Sequence, residues 1–374
     1  MVALLAAATL LSACASRPES GFLIPVAMSE PGGRDVTMLV ATTREADARP
    51  GTYFNGERSD VLSFASMKVS IPPNHKAGEI EWPSSPPGNP EKSFVVRDAE
   101  LFDSDKAFVD RLNAQIDKRP RGSRSVLIFV HGYNTMFAEA IFRFAQIDHD
   151  SRTPDVPVLF TWASRGKVAG YVYDLNSATA ARDDLERTIR LVFASHAESV
   201  DILAHSMGNW VAVEALRQIK ISGKLANPQK LGWVILAAPD IDMDVFKSQM
   251  RRFGKLQQPF FVVLSKDDNA LGFSKLIAGD RERLGSNSDE NELAALGATV
   301  IDLSDMKALD ASNHGKFAQL AEAAPELLPI LREGISDEAL SHGSESGKVA
   351  TTVQGVVTLP LTVLGAPIRI IKSQ

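Results

Sequence analysis

From Ser125 onward, short runs that are apolar throughout alternate with helical stretches, and no other feature constrains the fold of this chain as strongly. The runs are VLIFV (126–130), VPVLFTW (156–162), SVDILA (199–204), LGWVILAA (231–238), PFFVVLS (259–265) and TVIDLS (299–304). Helical periodicity occupies 136–147, 178–194, 208–220, 243–252 and 273–278. A strand with one wet face alternates apolar and polar residues; these runs do not, so they suit parallel strands covered on both faces. Alternating β and α units of this kind predict a doubly wound, mostly parallel sheet with right-handed crossovers. Ahead of them, VTMLVATT (36–43) and VLSFASMKVSI (61–71) are rich in β-branched residues and bounded by Pro and Gly, which predicts N-terminal strands added antiparallel. Ser93–Val96 reads as a further short strand, and 104–118 as a helix with Ala107, Phe108, Leu112 and Ile116 on one face. Residues 36–332 are thus assigned to one α/β domain. The polar stretch 282–297 reads as an exposed insertion.

Charge and cysteine usage narrow the function classes. With 40 Lys+Arg against 46 Asp+Glu the net charge is −6, which argues against a nucleic-acid partner, since phosphate binding needs a clustered excess of cations. A single cysteine excludes an internal disulfide and a CxxC-type zinc or redox site. The histidines have no HxxxH or HxxEH spacing, so no metal and no organic cofactor is expected.

The two ends differ from the middle. Residues 2–13 (VALLAAATLLSA) are too short to span a bilayer but have the length of a signal-peptide core. Leu11-Ser12-Ala13-Cys14 resembles the bacterial lipobox, which implies cleavage before Cys14 and acylation of its sulfur. Ala15, in place of Asp, implies by the same resemblance onward sorting to an outer membrane, with the protein lipid-anchored in the cell envelope and facing the periplasm. No Lys or Arg precedes Cys14, which predicts a start codon further upstream. Residues 1–13 are read as signal, 14–35 as a flexible tether, and 333–374 as a polar linker followed by an uncharged tail. Pro360, Pro367 and Gln354 make 349–368 a poor spanning helix; it is expected to be an extended segment packed on the body or disordered, with membrane contact the alternative.

Ala204-His205-Ser206-Met207-Gly208 stands where the SVDILA strand turns into a helix. A serine held in that turn has small residues two positions either side, here Ala204 and Gly208, and Ser206 is the candidate nucleophile. A serine at a helix start is otherwise a cap. Its hydroxyl needs a base. His75, His149, His196 and His342 fall in polar or loop segments. His131 and His205 end strands. His314, in the loop after the last strand TVIDLS, is left as the base. The orienting carboxylate is sought after PFFVVLS, where Lys266-Asp267-Asp268 follows; Asp268 is preferred, Asp267 is second, and Asp240 after LAAP is third. Two backbone N–H donors would hold the developing oxyanion, those of Met207 and of Tyr133, the latter in the His131-Gly132-Tyr133-Asn134 loop after VLIFV. His131 is expected to brace that loop, and Gly132 to allow its close approach.

FVHGYN, FTWASRG, GYVYD, AHSMGN, LAAPDID and SKDDNAL, in this order, resemble bacterial α/β-hydrolases of the esterase/lipase superfamily, in a family long classed as a domain of unknown function. The resemblance covers about 36–320. It implies the α/β-hydrolase fold and a Ser206–His314–Asp268 triad, and it says little about substrate. Cleavage of a small ester or lipid through an acyl-enzyme is the leading expectation, acyl transfer by the same residues is a related one, and a non-catalytic envelope protein binding a lipid or protein partner is the competing class. Residues 163–178 are expected to line or cover the site as a loop, with Arg165 and Lys167 solvated; Phe137, Phe142 and Phe144 are expected in the core. Substrate identity and oligomeric state are not legible.

Overall fold

The structure is a computed structural model in which residues 20–254, 260–286, 289–323, 327, 351–353, 356–363 and 366–373 are described. Its strands are β1 (Asp35–Asp47), β2 (Tyr53–Ser70), β3 (Val95–Phe102), β4 (Ser125–Val130), β5 (Val156–Thr161), β6 (Ser199–His205), β7 (Leu231–Ala237), β8 (Phe260–Leu264), β9 (Ala298–Asp302), β10 (Thr351–Val353), β11 (Val356–Val363) and β12 (Ala366–Ser373). The helices are α1 (Asp105–Ile116), α2 (Phe137–Ser151), α3 (Tyr171–Ala194), α4 (Gly208–Ser222), α5 (Met243–Phe253), α6 (Asn269–Ile277), α7 (Glu290–Ala295) and α8 (Lys316–Gln319).

All strands join one sheet in the order β10-β11-β12-β9-β8-β7-β6-β4-β5-β1-β2-β3. The run β1-β5-β4-β6-β7-β8-β9 is parallel, flanked by antiparallel β2 and β3 at one end and by antiparallel β12, β11 and β10 at the other. This is the α/β-hydrolase arrangement. The unbroken apolar runs have the expected cause: in β4, Val126, Ile128 and Val130 face one cluster together with Phe108, Leu185, Val211 and Phe246 from α1, α3, α4 and α5. Phe129, between them, faces the other side with Ile141 and Phe144 of α2. Phe137, Phe142 and Phe144 are all buried in that second cluster.

Several sequence expectations are corrected. The tether does not extend to residue 35: Phe22, Leu23 and Val26 are buried, and the Leu23 and Val26 amides donate to Gly51 O and Val96 O at 3.0 and 2.8 Å. The apolar side chains of FLIPV had a partner, the β1–β2 hairpin, that composition alone does not reveal. The C-terminal tail takes the first of its expected forms, extended and packed on the body, but as strands of the same sheet: Arg369, Ile370 and Ile371 of β12 pair with Asp302, Ile301 and Val300 of β9, with Ile368 and Ile370 buried on one face and Ile371 on the other. Segment 282–297 is not a plain exposed insertion, since Leu284, Leu293 and Ala294 are buried and Arg283 bridges Asp242. Residues 163–178 are not one loop; helix α3 begins at Tyr171. The proposed signal segment 1–13 and Cys14 lie outside the described residues.

Candidate active site

The C-terminal ends of the parallel strands bring the sequence-predicted residues to one edge. β6 ends at His205 and α4 begins at Gly208, so Ser206 sits in the turn between them, with φ +53°, a left-handed conformation costly for a residue with a side chain. Its backbone is pinned on both sides: the Ser206 N–H donates to Ala237 O (3.0 Å), and its carbonyl accepts from the Asn209 Nδ2 and Asp240 amides at 2.9 and 3.2 Å. Asn134, Ala238 and Asn313 share the positive φ, so four strained non-glycine residues gather along this edge. Gly208 is required by contact: a Cβ there would lie 2.3 Å from His131 O. At Gly132 a Cβ would lie 2.7 Å from Ser206 Cβ, so this glycine lets the His131–Asn134 loop close over the serine.

His314 lies in the loop after β9, and its Nδ1 donates to Asp268 Oδ2 at 2.7 Å. Asp268 follows β8 and is fully covered; its other oxygen, Oδ1, accepts from the Leu271 amide at 3.0 Å as the N-cap of α6. The His314 main chain is held from below, because Asp310 accepts from the His314 and Gly315 amides at 3.0 and 2.9 Å. Burial alone would lower the His314 pKa; the hydrogen bond and charge of Asp268 outweigh it, and the pKa lies above 6.5. His205, next to Ser206, places its ring 4.6 Å from that of His314 and stacks on Phe317 at 4.1 Å. Its Nε2 faces the His314 carbonyl at 3.4 Å, and burial followed by the His314 charge holds it well below 6.5, so it is a neutral imidazole.

The other two acid candidates are engaged elsewhere. Asp267 receives Lys316 Nζ at 2.7 Å, and the buried Lys316 also donates to Ser265 Oγ and Leu303 O. Asp240 accepts from Tyr171 Oη at 3.0 Å and lies 3.2 Å from the Arg283 Nε. Of the three, Asp268 alone hydrogen-bonds His314 among the described residues.

The opposite side of the site contains residues that the sequence reading missed. Arg44, at the end of β1, is 1% exposed. It donates from Nε to Thr161 Oγ1 (2.8 Å), from Nη1 to Ser164 O (2.8 Å) and from Nη2 to Thr135 O (2.7 Å). Burial pushes its pKa down to about 10. Beside it, His131 is pushed down to about 3 by burial and by the Arg44 charge, so it is neutral. Its partners assign the tautomer: Nδ1–H donates to Gly132 O at 2.8 Å, while Nε2 accepts from the Thr161 hydroxyl at 2.8 Å and the Trp162 amide at 3.2 Å. Trp162 stacks on the His131 ring and donates from Nε1 to His131 O. Asp174, in the first turn of α3, accepts from the Asn134 amide (3.1 Å), the Arg165 amide (3.1 Å) and Ser164 Oγ (2.6 Å). The His131–Thr135 loop, which carries the Tyr133 amide, is thus clamped between a buried cation and a buried anion. Arg165 forms an ion pair with Glu57 at 2.8 Å and lies 3.6 Å over the Tyr173 ring.

Residues 104–330 match the family described as alpha/beta hydrolase of unknown function (DUF900). The chain belongs to this family. No curated protein matches the chain. Among solved structures it is similar to a thermostable esterase from Pseudomonas putida ECU1011 and to two mutants of the esterase rPPE, each with 14% identity, TM-score 0.32, and coverage of 84% of this chain and 86% of the other. This α/β-hydrolase holds its strained serine, its histidine–carboxylate pair and its clamped glycine loop on the segments that follow β6, β8, β9 and β4 along one sheet edge.

Proposed function

We propose that this α/β-hydrolase is a serine esterase that cleaves carboxylic esters through an acyl-enzyme, and that it is anchored in a bacterial envelope through acylated Cys14. The observation that carries the reading is the 2.7 Å hydrogen bond from His314 to a covered Asp268 beside a serine held at φ +53°. In this reading Ser206 Oγ attacks the ester carbonyl carbon and gives its proton to His314 Nε2, while Asp268 stabilises the imidazolium through Nδ1–H. The carbonyl oxygen becomes an oxyanion held by the Met207 and Tyr133 amides, each such donor contributing about 2.7–4 kcal/mol. Met207 suits this role because it caps α4, and the first amides of a helix have no acceptor within it. The collapse breaks the ester C–O bond, and His314 returns the proton to the leaving alcohol. Water then attacks the acyl-enzyme by the same route, releasing the acid and restoring Ser206.

Labelling the protein with a fluorophosphonate probe and mapping the adduct tests the reading. The expected result is modification of Ser206, lost in Ser206→Ala, with hydrolysis of short p-nitrophenyl esters lost in the same variant. A folded wild-type protein that is neither labelled nor active on a panel of acyl lengths would overturn it.

A further inference from the structure

Twelve large apolar side chains are exposed among the described residues, and six of them lie in two short segments at the site's edge. Val168, Val172 and Leu175 belong to the segment that enters α3, and Phe273, Leu276 and Ile277 to α6; their exposures run from 38 to 74%. The two segments are joined at the site: Tyr171 Oη lies 2.8 Å from Ser274 Oγ, and the Tyr171 ring packs edge-on against Tyr133 of the glycine loop. Each segment also attaches directly to the site, α3 through Asp174 on the Asn134 amide, and α6 through its cap Asp268 on His314. Apolar patches rimmed by polar residues on a soluble domain mark interaction surfaces. Lys167 and Lys275 interleave with these six, as cations do where an apolar face meets lipid headgroups.

The start of the described chain says what this patch faces. Gly21 and Phe22 pack near the β1–β2 turn, where Leu23 pairs with Gly51. β1 runs parallel to β5, so the turn that follows β1 lies on the same sheet edge as the ends of β6, β8 and β9. Eight residues separate Phe22 from Cys14, a reach of at most about 28 Å when fully extended. A lipid on Cys14 would therefore keep the molecule within about 28 Å of a bilayer, on a tether that leaves beside the turn on this edge.

We propose that the rim formed by Val168, Val172, Leu175, Phe273, Leu276 and Ile277 docks on a lipid bilayer, and that the substrate is an ester of a membrane lipid drawn from that surface. The substrate part rests on the esterase reading above; the docking part does not. The test compares the wild-type chain with a Val172→Ser/Phe273→Ser/Leu276→Ser variant on two esters: p-nitrophenyl butyrate in solution, and p-nitrophenyl palmitate carried in phosphatidylcholine/phosphatidylglycerol vesicles. The expected result is an unchanged rate on the soluble ester and a loss of about tenfold on the vesicle-borne one, from the apolar contacts removed. Equal rates for wild type and variant on the vesicle-borne ester, or equal losses on both esters, would overturn it. An environment-sensitive fluorophore placed at Leu276→Cys reads docking without turnover: vesicles should shift its emission to the blue and brominated lipids should quench it, whereas a label at Ile221→Cys, exposed near the far end of α4, should not respond. The same response at both positions sinks the docking proposal even if the esterase reading stands. A label that responds in a protein without activity on either ester leaves docking intact and sinks the esterase reading. If the serine variant changes the oligomeric state while vesicle hydrolysis is retained, the rim is a contact between copies and the proposal fails.

Discussion

The two sides of the site are built by different means. On one side, His314 and Asp268 meet through a single charge-assisted hydrogen bond supported by loop backbone. On the other, Arg44, His131, Thr161, Trp162, Ser164 and Asp174 form a buried polar lattice in which nearly every partner has at least two others. Polar residues around one site thus serve separable ends. In the proposed reaction the first side changes charge and must stay adjustable. On the second, the histidine is held at about 3 and the arginine at about 10, so neither changes charge near neutral pH, and the lattice fixes a backbone amide in place.

This contrast can be broken, and the largest effect comes first. Asp268→Asn removes the carboxylate from His314 while leaving an oxygen able to cap α6, so kcat on a soluble ester is expected to fall about 10⁴-fold with Tm nearly unchanged. A large Tm loss with modest activity loss would erase the distinction between the sides. Arg44→Met should do the reverse. It strands the acceptors on Thr135 and Ser164 and leaves Asp174 buried without its cation, and breaking a buried charge pair costs about 3–5 kcal/mol, measurable by denaturant unfolding. Lys316→Met tests the acid assignment: it frees Asp267, and destabilisation of roughly 1–3 kcal/mol is expected from the lost buried hydrogen bonds. The acid limb of its activity profile should stay where it is in the wild type; movement of that limb would implicate Asp267 in the chemistry.

The pH profile sharpens the comparison further. Ester hydrolysis needs neutral His314, whose pKa lies above 6.5 because Asp268 outweighs burial, so activity should rise with pH through an inflection above 6.5. In Asp268→Asn the residual activity should inflect at lower pH. Far from the site, His75 offers the smallest effect. It is buried between Glu81 (2.7 Å) and Asp150 (2.9 Å); burial lowers its pKa, the two hydrogen bonds and charges more than reverse this, and the net shift is upward. A raised histidine pKa stabilises the fold fully below the unfolded value near 6.5 and loses that contribution as pH rises through the folded value. Asp150 is shifted down, so its share is lost only in acid. His75→Gln should therefore be destabilised most between about pH 4 and 6.5, by roughly 1–2 kcal/mol, with the gap to wild type narrowing above; a gap that widens with pH would refute the charged reading of His75.

The strands of the parallel core were legible because burial on both faces leaves an unmistakable apolar run. Ser206, Gly208 and Gly132 were legible because the strand–turn–helix step and the close loop approach tolerate few residue types. Asp268 was preferred over the adjacent Asp267 by its spacing from Ser265 after the strand, and a cap argument would have strengthened the choice: placing the helix start at Asn269 rather than 273 makes Asp268 its N-cap. Arg44 left no local signal, since all of its side-chain partners but the Asn55 carbonyl lie 87–120 positions away in the chain. Asp174 was hidden by reading the start of α3 as loop. That the extended tail joins the sheet was not legible, because β12, although paired by β9 on one side and β11 on the other, carries Arg369 and Lys372 among its isoleucines and so shows no unbroken apolar run.

The placement of β12 also bears on how such a chain is made. β9 receives its outer neighbour from residues 366–373, more than sixty positions further along the chain. Until then β9 presents a bare backbone edge next to the segment that carries His314, and a bare edge is a template for wrong partners. A chain cut between β9 and β12 would keep most of its core and one adhesive border, so residues 366–373 act as a clasp on that edge.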